Sequence, residues 1–195
     1  MSYTLHSLIV IVSPAESREL MTEDGDANTA FELSESPLYT ADEDAALYYA
    51  LHALARARAP TQLGLFTRFW APSAESFQIQ GGRHKERLAG KAMKIAISAV
   101  EALLRDFESS PAEIAAIVAA ILPYGESAED LQGALREAVS LPWPRSLEES
   151  TDAVKSNFNK GGFPMGALVA WLRAFQMRLV YALGSRKTVV QIVWS

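Results

Sequence analysis

The segment Arg83 to Phe107 limits the fold most, because it reads as one uninterrupted helix that is apolar around most of its girth. At about 100° per residue, Leu88, Met93, Ile95, Ile97, Val100, Leu103, Leu104 and Phe107, with alanines between them, cover well over half the circumference. Such a helix has to be packed on several sides. The remaining arc holds Arg87, Lys91, Lys94, Ser98, Glu101 and Arg105, a mostly basic stripe.

The two ends of the chain supply strands. Leu8-Ile9-Val10-Ile11-Val12 is β-branched and apolar on both faces, as a strand buried on both sides would be, and Ser13-Pro14 stops it. Val189-Val190-Gln191-Ile192-Val193 is its natural partner. Leu63 to Trp70 and Phe77 to Gln80 fit a hairpin. Helices are expected after Pro14, after the capping boxes Thr40-Ala41-Asp42-Glu43, Ser110-Pro111-Ala112-Glu113 and Ser146-Leu147-Glu148-Glu149, and after Ser127 and Pro164. The last of these is apolar nearly all round and is interrupted only by Arg173, Gln176 and Arg178. The expected architecture is α+β: a small, mostly antiparallel sheet formed mainly by the N- and C-terminal strands, covered by about six helices around a central helix 83–107. No linker divides the 195 residues, so 1–195 is expected to be one globular domain.

Composition enters through what it excludes. With no cysteine there can be no disulfide, thiolate metal site or cysteine nucleophile. Apolar runs are too short to span a membrane, and the N-terminus lacks the features of a signal peptide, so a cytoplasmic chain with no membrane partner is the expectation. The net charge of -5 conceals an alternation. Residues 1–55 hold ten carboxylates and one arginine, and residues 56–105 hold nine bases and three acids. Residues 106–152 hold ten acids and two bases, and residues 153–195 hold six bases and no acid. Either these blocks neutralise one another inside the fold or they form separate faces for partners.

Three sets of residues are candidates for chemistry. The acidic set Asp24, Asp26, Glu32, Glu35, Asp42, Glu43 and Asp44 suits a partner-binding face. Within it, Asp24, Asp26, Asn28 and Glu35 fall at positions 1, 3, 5 and 12 of an EF-hand-like calcium loop, although Thr29 stands where the turn needs glycine and Pro37 cuts the exiting helix. The second set is basic. Gly81-Gly82 followed by Arg83, His84 and Lys85, with Arg87, Lys91, Lys94 and the Lys160-Gly161-Gly162 loop, forms an anion or nucleic-acid candidate at what reads as a helix N-terminus. The third set is the histidines. His6, His52 and His84 are too widely spaced for a metal-binding pair, and no nucleophile elbow or Walker pattern is present.

The profile favours a non-catalytic interaction protein with no cofactor, acting on a protein partner such as a basic toxin or nuclease in the manner of an immunity or inhibitor protein. The alternatives are a nucleic-acid-binding accessory subunit and an enzyme acting on a phosphorylated small molecule.

Overall fold

The computed structural model describes residues 4–43, 46–58, 84–121, 126–158 and 165–194. Strands β1 (Thr4–Val12), β2 (Leu38–Glu43), β3 (His84–Leu88) and β4 (Thr188–Trp194) form one antiparallel sheet in the order β2-β1-β4-β3. The terminal strands pair at its centre from His6 opposite Trp194 to Val12 opposite Thr188. Eight helices lie among the described residues: α1 (Pro14–Leu20), α2 (Ala27–Leu33), α3 (Ala46–Arg58), α4 (Gly90–Ser109), α5 (Pro111–Ala119), α6 (Ala128–Ser140), α7 (Leu147–Phe158) and α8 (Met165–Gly184).

The sheet is covered on both faces. Leu5, Ile9 and Ile11 of β1 join Leu38, Leu88, Val189 and Val193 in the main core with α3 to α8. Leu8, Val10 and Val12 join Val190 and Ile192 in a smaller core closed by Leu20 of α1 and Ala30 of α2. This double burial explains why the first strand is apolar at every position from Leu8 onward. Each fully buried aliphatic side chain there stabilises the fold by about 1.5–3 kcal/mol. Gln191 is tolerated in the larger core because its Nε2 donates to Ser7 Oγ at 3.1 Å and to the Tyr48 hydroxyl oxygen at 3.0 Å.

Local signals set several helix starts. Ser13 Oγ accepts from Glu16 N while Glu16 accepts from Ser13 N, and Ser127 Oγ accepts from Asp130 N. Ser146 Oγ likewise accepts from Glu149 N. Ser110 precedes α5 as expected but makes no side-chain cap bond, so Pro111 at the first turn is what remains of that signal.

Two expected helix starts are strands instead. The central helix begins at Gly90, not at residue 83, because His84 to Leu88 pairs with β4 from His84 opposite Val193 to Leu88 opposite Val189. Only Leu88 of that stretch is fully buried, so the helical reading of its polar residues rested on no buried face, and the ladder supplies what helix propensity could not. Ala89 is extended and Gly90 has φ 54°, a left-handed conformation that glycine reaches without strain, which breaks strand from helix. Similarly, Thr40-Ala41-Asp42-Glu43 caps no helix. It continues β2, whose Leu38 and Thr40 are buried while Tyr39 and Ala41 are exposed, and α3 starts only at Ala46. The EF-hand-like stretch from Asp24 to Glu35, expected as a loop, contains α2, capped by Asp26 Oδ1 on Thr29 N at 2.7 Å. The hairpin expected over 63–80 lies outside the described residues, as do Gly81-Gly82 and Lys160-Gly161-Gly162.

Candidate functional site: an acidic seam over a buried arginine

Arg178 projects from an otherwise apolar stretch of α8 and is 0 % exposed. Its five N–H groups are all bonded, and every acceptor is neutral. Nε donates to Ser36 O at 3.2 Å, and Nη1 donates to Ser150 Oγ and Ala174 O, both at 3.0 Å. Nη2 donates to Thr151 Oγ1 at 2.7 Å and Ser36 Oγ at 3.4 Å. Desolvation pushes its pKa down to about 10, since no carboxylate compensates the buried charge.

Ser36 ends the acidic segment that carries α2, and Ser150 and Thr151 belong to the acidic first half of α7. One guanidinium therefore holds the two acid-rich parts of the chain side by side. The carboxylates beside these acceptors in sequence are Glu35, Glu148, Glu149 and Asp152. Glu35 pairs with Lys187 and accepts from the Tyr181 hydroxyl at 2.8 Å, and both bonds, that of Lys187 first, lower its pKa. Glu149 takes the Arg145 side chain at 2.7 Å and Arg145 N at 2.8 Å, which likewise lowers its pKa. Glu148 and Asp152 are exposed and enter no ion pair among the described residues. Apolar side chains lie exposed on the elements that border the seam: Phe31 (52 %) and Leu33 on α2, and Val180 and Tyr181 on α8.

The expected acidic face is thus redistributed. Asp24 is exposed in the turn before α2, Glu32 is exposed on α2, and Asp26 caps α2. Asp42 and Glu43 take part in the β1–β2 ladder opposite Leu5 and Thr4, and Asp44 lies outside the described residues. The EF-hand-like string is not a continuous loop, because Ala27–Leu33 is helical, Asn28 lies exposed within it and Glu35 is turned to Lys187. Among the described residues no three or more His, Asp or Glu side chains converge as they would around a metal ion.

The basic candidates are divided between the two faces of the sheet. Lys85 and Arg87 lie on the α1 side, where Lys85 Nζ donates to Thr22 O and Arg87 Nε to Ser17 Oγ at 2.9 Å. His84 approaches Glu86 at 3.8 Å. Lys91 and Lys94 are exposed on α4, across the sheet, and enter no ion pair among the described residues. The stripe foreseen on one helix therefore loses Arg87 to β3 and keeps Lys91, Lys94, Ser98, Glu101 and Arg105 on α4. Arg83 and Lys160 lie outside the described residues.

The histidines have separate surroundings. His6 Nδ1 is 2.8 Å from the Tyr39 hydroxyl and its ring stacks on Trp194 at 5.4 Å. His52 on α3 has both ring nitrogens shielded from solvent and without a hydrogen bond, and burial, then Arg56, lowers its pKa.

In the sequence Arg173 and Arg178 read only as interruptions of an apolar helix. An arginine on a helix that is apolar all round has to be buried with partners or to snorkel, and that was the available signal. No protein-family model matches this chain, and no curated protein or solved structure is significantly similar to it. Among the described residues no helix is long and apolar enough to cross a membrane.

Proposed function

We infer that this chain is a non-catalytic interaction protein whose acidic surface docks a basic macromolecular partner, as an inhibitor of a basic toxin or nuclease would. The observation that supports this reading is the Arg178 seam. Its guanidinium is satisfied by neutral oxygens alone, so it brings two acid-rich segments together without using their carboxylates. Glu32, Glu148 and Asp152 stay exposed, as do Phe31 on α2 and Tyr181 on α8. Acidic surface steers a basic partner toward the chain, and exposed aromatic side chains supply the apolar contact that holds it.

Tagged full-length chain purified from its native host at low salt is expected to carry a basic protein in stoichiometric amount, with about 800 Å² buried on each partner. The Glu148→Lys, Asp152→Lys double variant should release it. Equal capture by that variant, or no partner at low salt, removes the reading.

A second reading rests on Lys91 and Lys94. They stand in the open at the start of α4, which has no acidic residue in its first turn and no side-chain cap, so phosphate is the group that would suit them. It predicts salt-sensitive binding of short labelled DNA or RNA that Lys91→Glu, Lys94→Glu abolishes, measured by fluorescence anisotropy. The separation of Lys85 and Arg87 onto the other face of the sheet leaves this reading a smaller footprint than the acidic one.

A further inference from the structure

Three buried polar side chains lie side by side on the face of the sheet that otherwise belongs to the main core. Ser7 of β1, Thr40 of β2 and Gln191 of β4 are 1 %, 4 % and 1 % exposed. Ser7 stands directly opposite Thr40, and Gln191 stands opposite Ile9, two residues further along β1. Both therefore flank Ser7 on the face that carries Leu5 and Ile9. β2 and β4 are not paired with each other, because β1 runs between them.

The hydrogen bonding of this cluster stops short of completion. Gln191 Nε2 donates to Ser7 Oγ at 3.1 Å and to the hydroxyl oxygen of Tyr48, brought in by α3, at 3.0 Å, which uses both N–H groups of the amide. Its Oε1 and Thr40 Oγ1 are shut off from solvent, and neither has a hydrogen-bond partner among the described residues. Folded proteins rarely leave such atoms unbonded, because a polar group taken out of water and given nothing in return destabilises the fold. The two atoms also ask for the same kind of partner. An amide oxygen only accepts, a threonine hydroxyl has one hydrogen to give, and Ser7 Oγ between them has a second lone pair to offer. These groups are neutral, so they hold no ion by charge, and among the described residues no cluster of His, Asp or Glu suits a metal. A compact neutral molecule that both donates and accepts is what fits a closed core at this point.

We propose that an internal water molecule is built into the sheet here, donating to Gln191 Oε1 and Ser7 Oγ and accepting from the Thr40 hydroxyl. Those are about three bonds, the usual number for a buried water. It joins β2 to β4 across β1, a connection that the backbone ladder does not make. The site lies in the core, so it stands or falls apart from the docking reading.

The test is a crystal structure of the full-length protein at a resolution that shows ordered water. One compact density peak should lie about 2.7–3.2 Å from both Thr40 Oγ1 and Gln191 Oε1. In the structure of Thr40→Val that peak should be gone while the strands keep their register. Urea unfolding of Thr40→Val, Gln191→Met and the double variant supplies a second readout. The effect of Thr40→Val on the folding equilibrium constant should differ at least about fivefold between the wild-type and Gln191→Met backgrounds, since the water couples the two side chains. Additive effects would show that they share no water. A site without density, or a direct hydrogen bond from Thr40 to Gln191, overturns the proposal, and a larger peak overturns it in favour of another ligand. If the variants do not fold, the wild-type density alone decides.

Discussion

Arg173 and Arg178 leave the same helix five residues apart, both buried and both bonded only to neutral oxygens, yet they shape different regions. Arg178 has all its N–H groups occupied and ties together three stretches of chain at the acidic seam. Arg173 caps the carbonyl end of α6 through Val139 O and Leu141 O and props up the Leu141-Pro142-Trp143 connection to α7, with its Nε left without a hydrogen bond and the Trp143 indole in place of further acceptors. A fold can thus bury positive charge and still keep its carboxylates at the surface. Had either guanidinium been neutralised by Asp or Glu, the nearby acidic surface would have lost a charge for each pair formed. Instead, backbone carbonyls, hydroxyls and the helix dipole carry the electrostatic load.

The largest effect is expected at Arg178. Arg178→Ala leaves Ser36 O, Ser150 Oγ and Thr151 Oγ1 in a dry site with one donor group removed from all of them, and it is expected to lower the unfolding free energy by about 3 kcal/mol in urea. Arg178→Lys keeps the charge but cannot reproduce the fork, so it should recover less than half of that loss. An unchanged midpoint for either variant would mean that the seam is not held by this residue.

Arg173→Ala should cost less, about 1–2 kcal/mol, because only two carbonyls and one ring contact are lost and the carbonyls lie near solvent. Its signature is local: Trp143 should become more accessible to a fluorescence quencher while the core tryptophan Trp171 does not. If the two arginine variants were equally destabilised, the distinction between seam and prop would disappear.

A third shielded titratable group sharpens the contrast, because it carries no fixed charge. Burial depresses the His52 pKa below its ordinary value of 6.5, so the folded state favours the neutral ring. Stability from this group is fully present above the unfolded pKa and is lost as pH falls from there through the lowered folded value. The wild-type thermal midpoint should therefore drop as pH falls below the ordinary histidine value of 6.5, and His52→Leu should flatten that drop. A steeper drop in the variant would contradict the sign.

The smallest effect is expected at Glu35. Its pKa is held down by Lys187 and Tyr181 at an exposed position, so its contribution is present above the ordinary carboxylate range and fades as pH falls through the lowered value. Glu35→Gln should leave the neutral-pH midpoint within experimental error and change only the acid limb of the stability curve.

The parts of this molecule that the sequence made legible were those where local chemistry and burial agree. β1 from Leu8 onward and most of β4 are apolar because both faces of the sheet are covered, and their pairing followed from that. α6, α7 and α8 began where Ser127, Ser146 and Pro164 said they would. What failed were segments decided by distant partners. Thr40 to Glu43 matches a capping box letter for letter, but pairing with β1 makes it a strand. His84 to Leu88 continues a helical pattern on paper and is pulled into the sheet by β4, and this carried Lys85 and Arg87 away from Lys91 and Lys94. The candidate site was half visible. Acidic blocks could be counted, but a guanidinium joining residues 36 and 150 requires contacts more than a hundred positions apart in sequence.

If the acidic seam docks a basic partner, as we propose, the dissociation constant of that complex depends on salt. It should be at least about tenfold weaker in about 300 mM than in about 50 mM sodium chloride, as a contact between opposed charged surfaces requires. Glu148→Lys, Asp152→Lys should weaken the complex at low salt and flatten its salt dependence. An affinity that is indifferent to salt, or a charge-reversed chain that binds as tightly as the original, would show that the acidic surface is not the docking face.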